Sequence, residues 1–291
     1  MDKRYCYIHN ILPEKIRQLE LPYKCIEEIR IKKNCPLIYY TENEEIVTDV
    51  IINEEDVLHI LNFITENSMY AYLNDIVNGF ITIEGGHRVG ICGTAVIENN
   101  RIINIKDINY MNIRIGKEKI GISDNIMKYI YSDGFIKNTL IISPPGVGKT
   151  TLIRDISRNL SDVYKKRVAV IDERYEIGST YKGNEQNSVG QRTAVLSGYN
   201  KKDGFIHSIR SLSPDVIVCD ELGDENDVIY IKNAVNKGIK IIATIHGYSE
   251  LDLINKKEYK ELFEYFEVVI ILSKDKKDRI KKIMDSDFNV L

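Results

Sequence analysis

Thr139-Leu-Ile-Ile-Ser-Pro-Pro-Gly-Val-Gly-Lys-Thr-Thr-Leu-Ile-Arg154 passes from an apolar run, through a loop rich in proline and glycine, into a segment of helical period. Thr139–Ile142 has the character of a buried strand. Over Thr151–Leu160 the apolar residues Leu152, Ile153, Ile156 and Leu160 share one face of a helix. A strand that turns sharply into a helix leaves backbone N–H groups unpaired at the helix N-terminus, where they and the helix dipole favour phosphate oxygens. The cradle is Ser143, Pro144, Pro145, Gly146, Val147, Gly148, Lys149, Thr150 and Thr151. Lys149 is expected to reach the β- and γ-phosphates of ATP, and the Thr150 hydroxyl to ligate Mg²⁺. The motif asks for glycine five residues before Gly148, where this chain has Ser143. A chance Gly-Lys-Thr in a surface loop would need neither a strand before it nor a helix after it, and here both are present.

Downstream, apolar runs at Val168–Ile171, Val216–Cys219, Ile239–Ala243 and Val268–Leu272 alternate with helical patterns, one of them Asp227–Lys237 closed by Gly238. Continuous apolar strands alternating with helices predict a parallel sheet covered on both faces, an α/β fold. Val216–Cys219 delivers Asp220 and Glu221 to its C-terminal end, the edge at which open α/β sheets bind ligands. There Asp220 can hold Mg²⁺, and Glu221 can orient and activate an attacking water. Asp172-Glu173-Arg174-Tyr175-Glu176 leaves its own strand at the same edge, either facing the γ-phosphate or forming a charged loop balanced by Arg174. His246 ends the following strand. A histidine there is either a structural hydrogen-bonding residue or part of the pocket.

The first half has another texture. Glu54–Asn67 reads as a helix with acids in its first turn. Around it lie strand-like pieces at Ile29–Ile31, Leu37–Tyr40, Ile46–Val50, Gly79–Ile83, Arg88–Ile97, Ile102–Ile105 and Tyr110–Ile115, with turn signals at Gly85-Gly86 and Asn99-Asn100. This predicts a smaller α+β domain over residues 1–116, joined to a phosphate-loop domain over 117–291.

The order of landmarks resembles the type II/type IV secretion ATPases: phosphate loop, Asp172-Glu173-Arg174-Tyr175-Glu176, Arg210-Ser-Leu-Ser-Pro-Asp215, Asp220-Glu221, then Thr244-Ile-His246. Within that superfamily the likeness is strongest to a sporulation branch from endospore-forming bacteria. It extends to Gly79-Phe-Ile-Thr-Ile-Glu-Gly-Gly-His-Arg88 and Asn112-Ile-Arg114. The resemblance implies a RecA-like ATPase domain behind an α+β N-terminal domain, acting as a homohexameric ring. It implies a cytoplasmic motor, held at the membrane by the membrane proteins of a sporulation channel complex. Position by position, Glu173 matches the Asp-box acid, Glu221 the Walker B glutamate and His246 the His-box residue. Arg88 and Arg114 are candidates to reach a nucleotide from the domain above or from the neighbouring subunit, and the tip Gly85-Gly86-His87 is a candidate to carry Arg88 into a neighbouring active site. The box around Glu173 has Arg174 where these ATPases usually have proline.

Composition narrows the alternatives. The chain has 291 residues, 43% hydrophobic and 29% charged, with net charge −3, which gives no overall pull toward nucleic acid. A nucleic-acid motor of related fold is the rival reading, but the basic runs Lys165-Lys166-Arg167 and Lys274–Lys282 are broken by acids or lie at element ends, so no nucleic-acid partner is expected. No apolar run is long enough to span a bilayer. The five cysteines form no Cys-x-x-Cys pair, so neither zinc nor a redox dithiol is signalled.

Overall fold

A computed structural model of the chain describes residues 3–224, 226–250, 261–275 and 279–291. Of the basic run Lys274–Lys282, residues 276–278 lie outside the described residues. The chain divides into two compact units. One comprises Met1–Lys117 with Ser179–Gln186, the other Glu118–Gly178 with Asn187–Leu291.

The first unit is built on strands β1 (Ile26–Lys32), β2 (Pro36–Thr41), β3 (Glu45–Ile51), β4 (Phe80–Ile83), β5 (His87–Glu98) and β6 (Arg101–Arg114). They form an antiparallel sheet in the order β3-β2-β1-β6-β5-β4. The turn between β5 and β6 is Asn99-Asn100, with φ of 48° and 62°, the left-handed pair a tight hairpin requires. Two strand-like pieces expected at Ile102–Ile105 and Tyr110–Ile115 are one strand, β6, interrupted by a bulge: Cys92 pairs with Tyr110 but Thr94 with Lys106, and Asp107 has φ of 50°. The expected helix runs Glu54–Ile64, shorter than its pattern. Asn53 caps it by accepting from the Asp56 N–H at 2.9 Å, and Glu66 and Asn67 turn left-handed just past its end. Its Val57, Ile60, Leu61 and Ile64 join a core with Ile8 and Ile11 of an N-terminal helix, Lys3–Ile11, that the sequence reading did not assign.

In the second unit a hairpin of β7 (Tyr131–Ser132) and β8 (Phe135–Ile136) precedes a sheet of seven strands. These are β9 (Thr139–Ser143), β10 (Val168–Asp172), β11 (Thr193–Ser197), β12 (Val216–Leu222), β13 (Lys240–His246), β14 (Val268–Leu272) and β15 (Ile280–Asp285), in the order β11-β10-β12-β13-β9-β14-β15. All pairings are parallel except β14 with β15. Each central strand divides its residues between two cores by parity. Leu140 and Ile142, Ile217 and Cys219, and Ile241 and Ala243 face a core that includes Val228, Ile231 and Ala234 of the helix Asp227–Val235. Ile141, Val216, Val218 and Ile242 face the opposite core, with Leu152, Ile153, Ile156 and Leu160 of the helix Lys149–Asp162. With both faces covered, alternation disappears from the sequence and continuous apolar runs take its place.

Candidate active site

Because β9, β10, β12 and β13 are parallel, their C-terminal ends share one edge, and the chemistry-bearing residues collect there. At the end of β9 the chain enters the phosphate loop. Gly146 and Gly148 have φ of 77° and 96°, left-handed values that a side chain would strain. Gly148 is the N-cap of the helix Lys149–Asp162. Ser143, the departure from the motif, is the last residue of β9, registered against His246 and buried, and its hydroxyl donates to the Pro144 carbonyl at 2.9 Å. It lies in extended backbone, where a Cβ is ordinary.

β12 carries Asp220 and Glu221 into a β-bulge: Cys219 registers with Ala243, but Leu222 with Ile245. Glu221 has φ of 53°, uncommon for a residue with a side chain and frequent at functional sites. Its N–H, displaced from the ladder, donates to Thr244 Oγ1 at 2.9 Å and to Asp220 Oδ1 at 3.1 Å. The Thr244 hydroxyl in turn donates to Asp220 Oδ1. The other Asp220 oxygen, Oδ2, accepts from the Thr150 hydroxyl at 2.6 Å. A hydroxyl and a carboxylate, both hard oxygen ligands, thus converge beside the phosphate loop, a donor set that fits Mg²⁺ sharing its remaining positions with phosphate and water.

Glu221 is the centre of the cluster. Its Oε1 is 2.5 Å from Lys149 Nζ and 3.0 Å from His246 Nε2, and its Oε2 is 2.5 Å from an Arg174 guanidinium nitrogen. Lys149 Nζ also lies 3.0 Å from His246 Nε2. Burial works against ionisation of Glu221. The hydrogen bond and charge of Lys149, the charge of Arg174 and the His246 hydrogen bond outweigh it and hold the carboxyl below the ordinary glutamate range. Lys149 is itself buried, so its ammonium needs an anionic partner. Here that partner is Glu221; a phosphate would serve equally.

The acidic segment after β10 divides its labour. Asp172, 2% exposed, accepts backbone N–H groups from Glu176 at 2.7 Å, Ile177 at 3.1 Å and Gly178 at 2.9 Å, which makes it the fastener of a turn. Glu173 lines a small cleft with Arg174, Lys201, Asp220 and Glu221, and its carboxylate lies 3.9 Å from Lys201 Nζ. On the other side of the loop, a mostly aliphatic cleft of about 320 Å³ is lined by Ile122, Val147, Gly148, Leu152, Leu272 and Ile280, with Lys119 and Arg279.

Arg88 and Arg114 belong to the first unit and face each other across β5 and β6. The Arg88 guanidinium lies 4.7 Å from the centre of the Phe80 ring, and Arg114 pairs with Glu28 at 3.1 Å. The tip before Arg88 does not project. The Gly85 N–H donates to Gln186 Oε1 at 2.8 Å, and His87 is fully buried, with Nδ1 accepting from the Gly116 N–H at 2.9 Å and Nε2 2.7 Å from the Arg4 carbonyl. Sequence reasoning missed the specific contacts of Arg174, Thr244 and Lys201 in the site. Thr244 had a signal, its place two residues before His246. Arg174 was visible only as a counter-charge, and Lys201 had none.

A family model described as sporulation stage III, protein AA, matches residues 1–291. The chain belongs to the sporulation stage III protein AA family. Stage III sporulation protein AA of Bacillus subtilis (strain 168) is 36% identical to this member of the family over 297 residues, covering 98% of this chain and 96% of its own. Among solved structures, the ATPase DotB of Legionella pneumophila superposes with a TM-score of 0.61 at 16% identity, covering 94% of this chain and 80% of DotB. The pilus retraction motor PilT with bound ADP gives 0.62 at 16% identity, over 93% and 81%. The fold of this chain is therefore that of these ATPases, an α/β domain that follows an antiparallel sheet in the sequence. Among the described residues no helix is long and apolar enough to cross a membrane.

Proposed function

We propose that the chain binds Mg²⁺-ATP at the end of β9, hydrolyses it, and so drives a membrane-associated complex during sporulation. The observation that carries this reading is the single hydrogen-bonded cluster of Lys149, Thr150, Asp220, Glu221 and His246 on the open edge of the sheet. The loop N–H groups and the Lys149 ammonium would hold the β- and γ-phosphates, with Lys149 exchanging its Glu221 partner for phosphate. Thr150 and Asp220 would hold Mg²⁺, which neutralises charge on the phosphates when bound. The aliphatic cleft beside Val147 and Gly148 has the size and lining of a nucleoside site. Glu221 would accept a proton from water as its oxygen attacks the γ-phosphorus and the bond to the bridging oxygen breaks, giving ADP and phosphate. His246 would steady Glu221 through the 3.0 Å contact, and Glu173 would line the far wall of the cleft.

The sporulation family supports placing this motor in spore formation, and the secretion-ATPase fold supports a hexameric ring at the cytoplasmic face, docked through membrane partners. In such a ring Arg88 or Arg114 of one subunit would reach the nucleotide of the next. The test of the site is equilibrium binding. Lys149→Ala should lose most Mg²⁺-ATP affinity, by roughly a hundredfold for removal of a desolvated phosphate contact, with its circular dichroism unchanged. Wild-type affinity in a folded Lys149→Ala protein would place the nucleotide elsewhere.

A further inference from the structure

The two oxygens of Glu221 are held differently. Oε1 faces Lys149 and His246, while Oε2 is 2.5 Å from Arg174. We infer that Arg174 is a positioning residue for Glu221, gripping Oε2 of its own chain so that Oε1 is presented to the attacking water once Lys149 has turned to phosphate. The inference rests on the ATPase reading above and adds to it a residue outside the phosphate loop and the Asp220-Glu221 pair.

Three features make Arg174 suited to this. It issues from a turn that is rigid at both ends: Asp172 binds three successive N–H groups of residues 176–178, and Arg154 of the phosphate-loop helix donates to the carbonyls of Glu176 at 2.6 Å and Ile177 at 2.7 Å. Phosphate-loop helix and turn are thereby joined in one frame, from which Arg174 reaches Glu221. Second, Tyr175 has φ of 56°, a left-handed kink immediately after Arg174 that reverses the chain at this point. Third, the Glu221 backbone is itself constrained at a left-handed bulge whose N–H is bonded to Thr244 and Asp220, leaving the carboxylate's rotation as the freedom to be controlled. A guanidinium suits that task, because its donors lie in a rigid plane and approach one carboxylate oxygen from a set direction, where an ammonium is a point charge.

Since the Arg174 side chain is 66% exposed, its loss should leave the fold standing. Arg174→Ala should therefore bind Mg²⁺-ATP within about twofold of wild type and melt at the wild-type temperature, while kcat falls by about 10- to 100-fold, the usual cost of a misplaced catalytic group. Arg174→Lys should recover part of the loss. The decisive comparison adds Arg174→Ala to Glu221→Gln: if Arg174 acts through Glu221, the double variant is no slower than Glu221→Gln alone. A further full drop in the double variant, a loss of affinity in place of kcat, or unchanged turnover in Arg174→Ala would each overturn the assignment. A wild-type protein that binds Mg²⁺-ATP without hydrolysing it would defeat the ATPase reading itself and this inference with it.

Discussion

Ser143 stands where the phosphate-loop motif has glycine, and its geometry explains why the site tolerates it. The loop's left-handed residues are Gly146 and Gly148, whereas Ser143 ends β9 in extended conformation with its hydroxyl turned back to the Pro144 carbonyl. Restoring the motif should accordingly gain nothing. Ser143→Gly is expected to bind Mg²⁺-ATP within about twofold of wild type and to lose roughly 0.5–1 kcal/mol of stability, the entropic cost of glycine in a strand. Calorimetric binding and a urea titration would check both. The residues of the site were legible to different degrees. Gly148, Lys149, Thr150, Asp220 and Glu221 announce themselves because phosphate and metal binding fix residue type and spacing together. Glu221's left-handed bulge has no sequence signature, and neither does the Glu221–Arg174 pair, because residues so far apart in sequence are joined only by the register of β10 against β12. Asp172, Glu173 and Glu176 look alike in the sequence. Only the turn separates the fastener Asp172 from Glu173 in the cleft.

Among the elements, those with two buried faces were read most fully. β9, β10, β12 and β14 are buried along most or all of their length and appear as unbroken apolar runs. Edge strands were not. β11, Thr193–Ser197, is half-buried at most positions, and β15, Ile280–Asp285, begins within the basic run that suggested solvated surface and continues past it to Met284, which is fully buried. An edge strand needs only one apolar face, and Lys281 and Lys282 are the charges such an edge carries. At the same scale, His87 joins β5 to the N-terminal helix through the Arg4 carbonyl and to the end of the first unit through Gly116. Burial pushes its imidazole down to about 4, against the contact with the Arg4 carbonyl. The unfolded chain, with an ordinary histidine near 6.5, then binds more protons than the folded one, so stability is complete above about pH 6.5 and is lost as pH falls toward 4. The difference between 6.5 and about 4 corresponds to roughly 3 kcal/mol at most. Hydrogen exchange in β4–β6 of the full chain should accelerate between pH 7 and 5, after correction for the intrinsic rate, and His87→Gln should flatten that dependence. An equal acceleration in both proteins would remove His87 as the cause.

For the whole molecule, the proposed ring makes a statement about Arg88 and Arg114 that mixing can examine. If either arginine acts on a neighbouring subunit's nucleotide, an Arg88→Ala, Arg114→Ala protein and a Glu221→Gln protein, each inactive alone, should regain part of the ATPase rate when combined, because some interfaces then pair an intact arginine with an intact Glu221. Activity that stays at the sum of the two parents, while mixed rings form, would confine those arginines to their own subunit or to the Phe80 and Glu28 contacts seen here. Beneath the ring model lies the claim that one chain carries a hydrolytic site organised around Glu221. The measurement that tests this most directly is phosphate release under saturating Mg²⁺-ATP, wild type against Glu221→Gln, with nucleotide binding followed in the same samples. Glutamine keeps the shape of the side chain but cannot take the proton from water, so we predict normal binding and a loss of hydrolysis of about a hundredfold or more. A Glu221→Gln protein that releases phosphate at the wild-type rate would contradict the account.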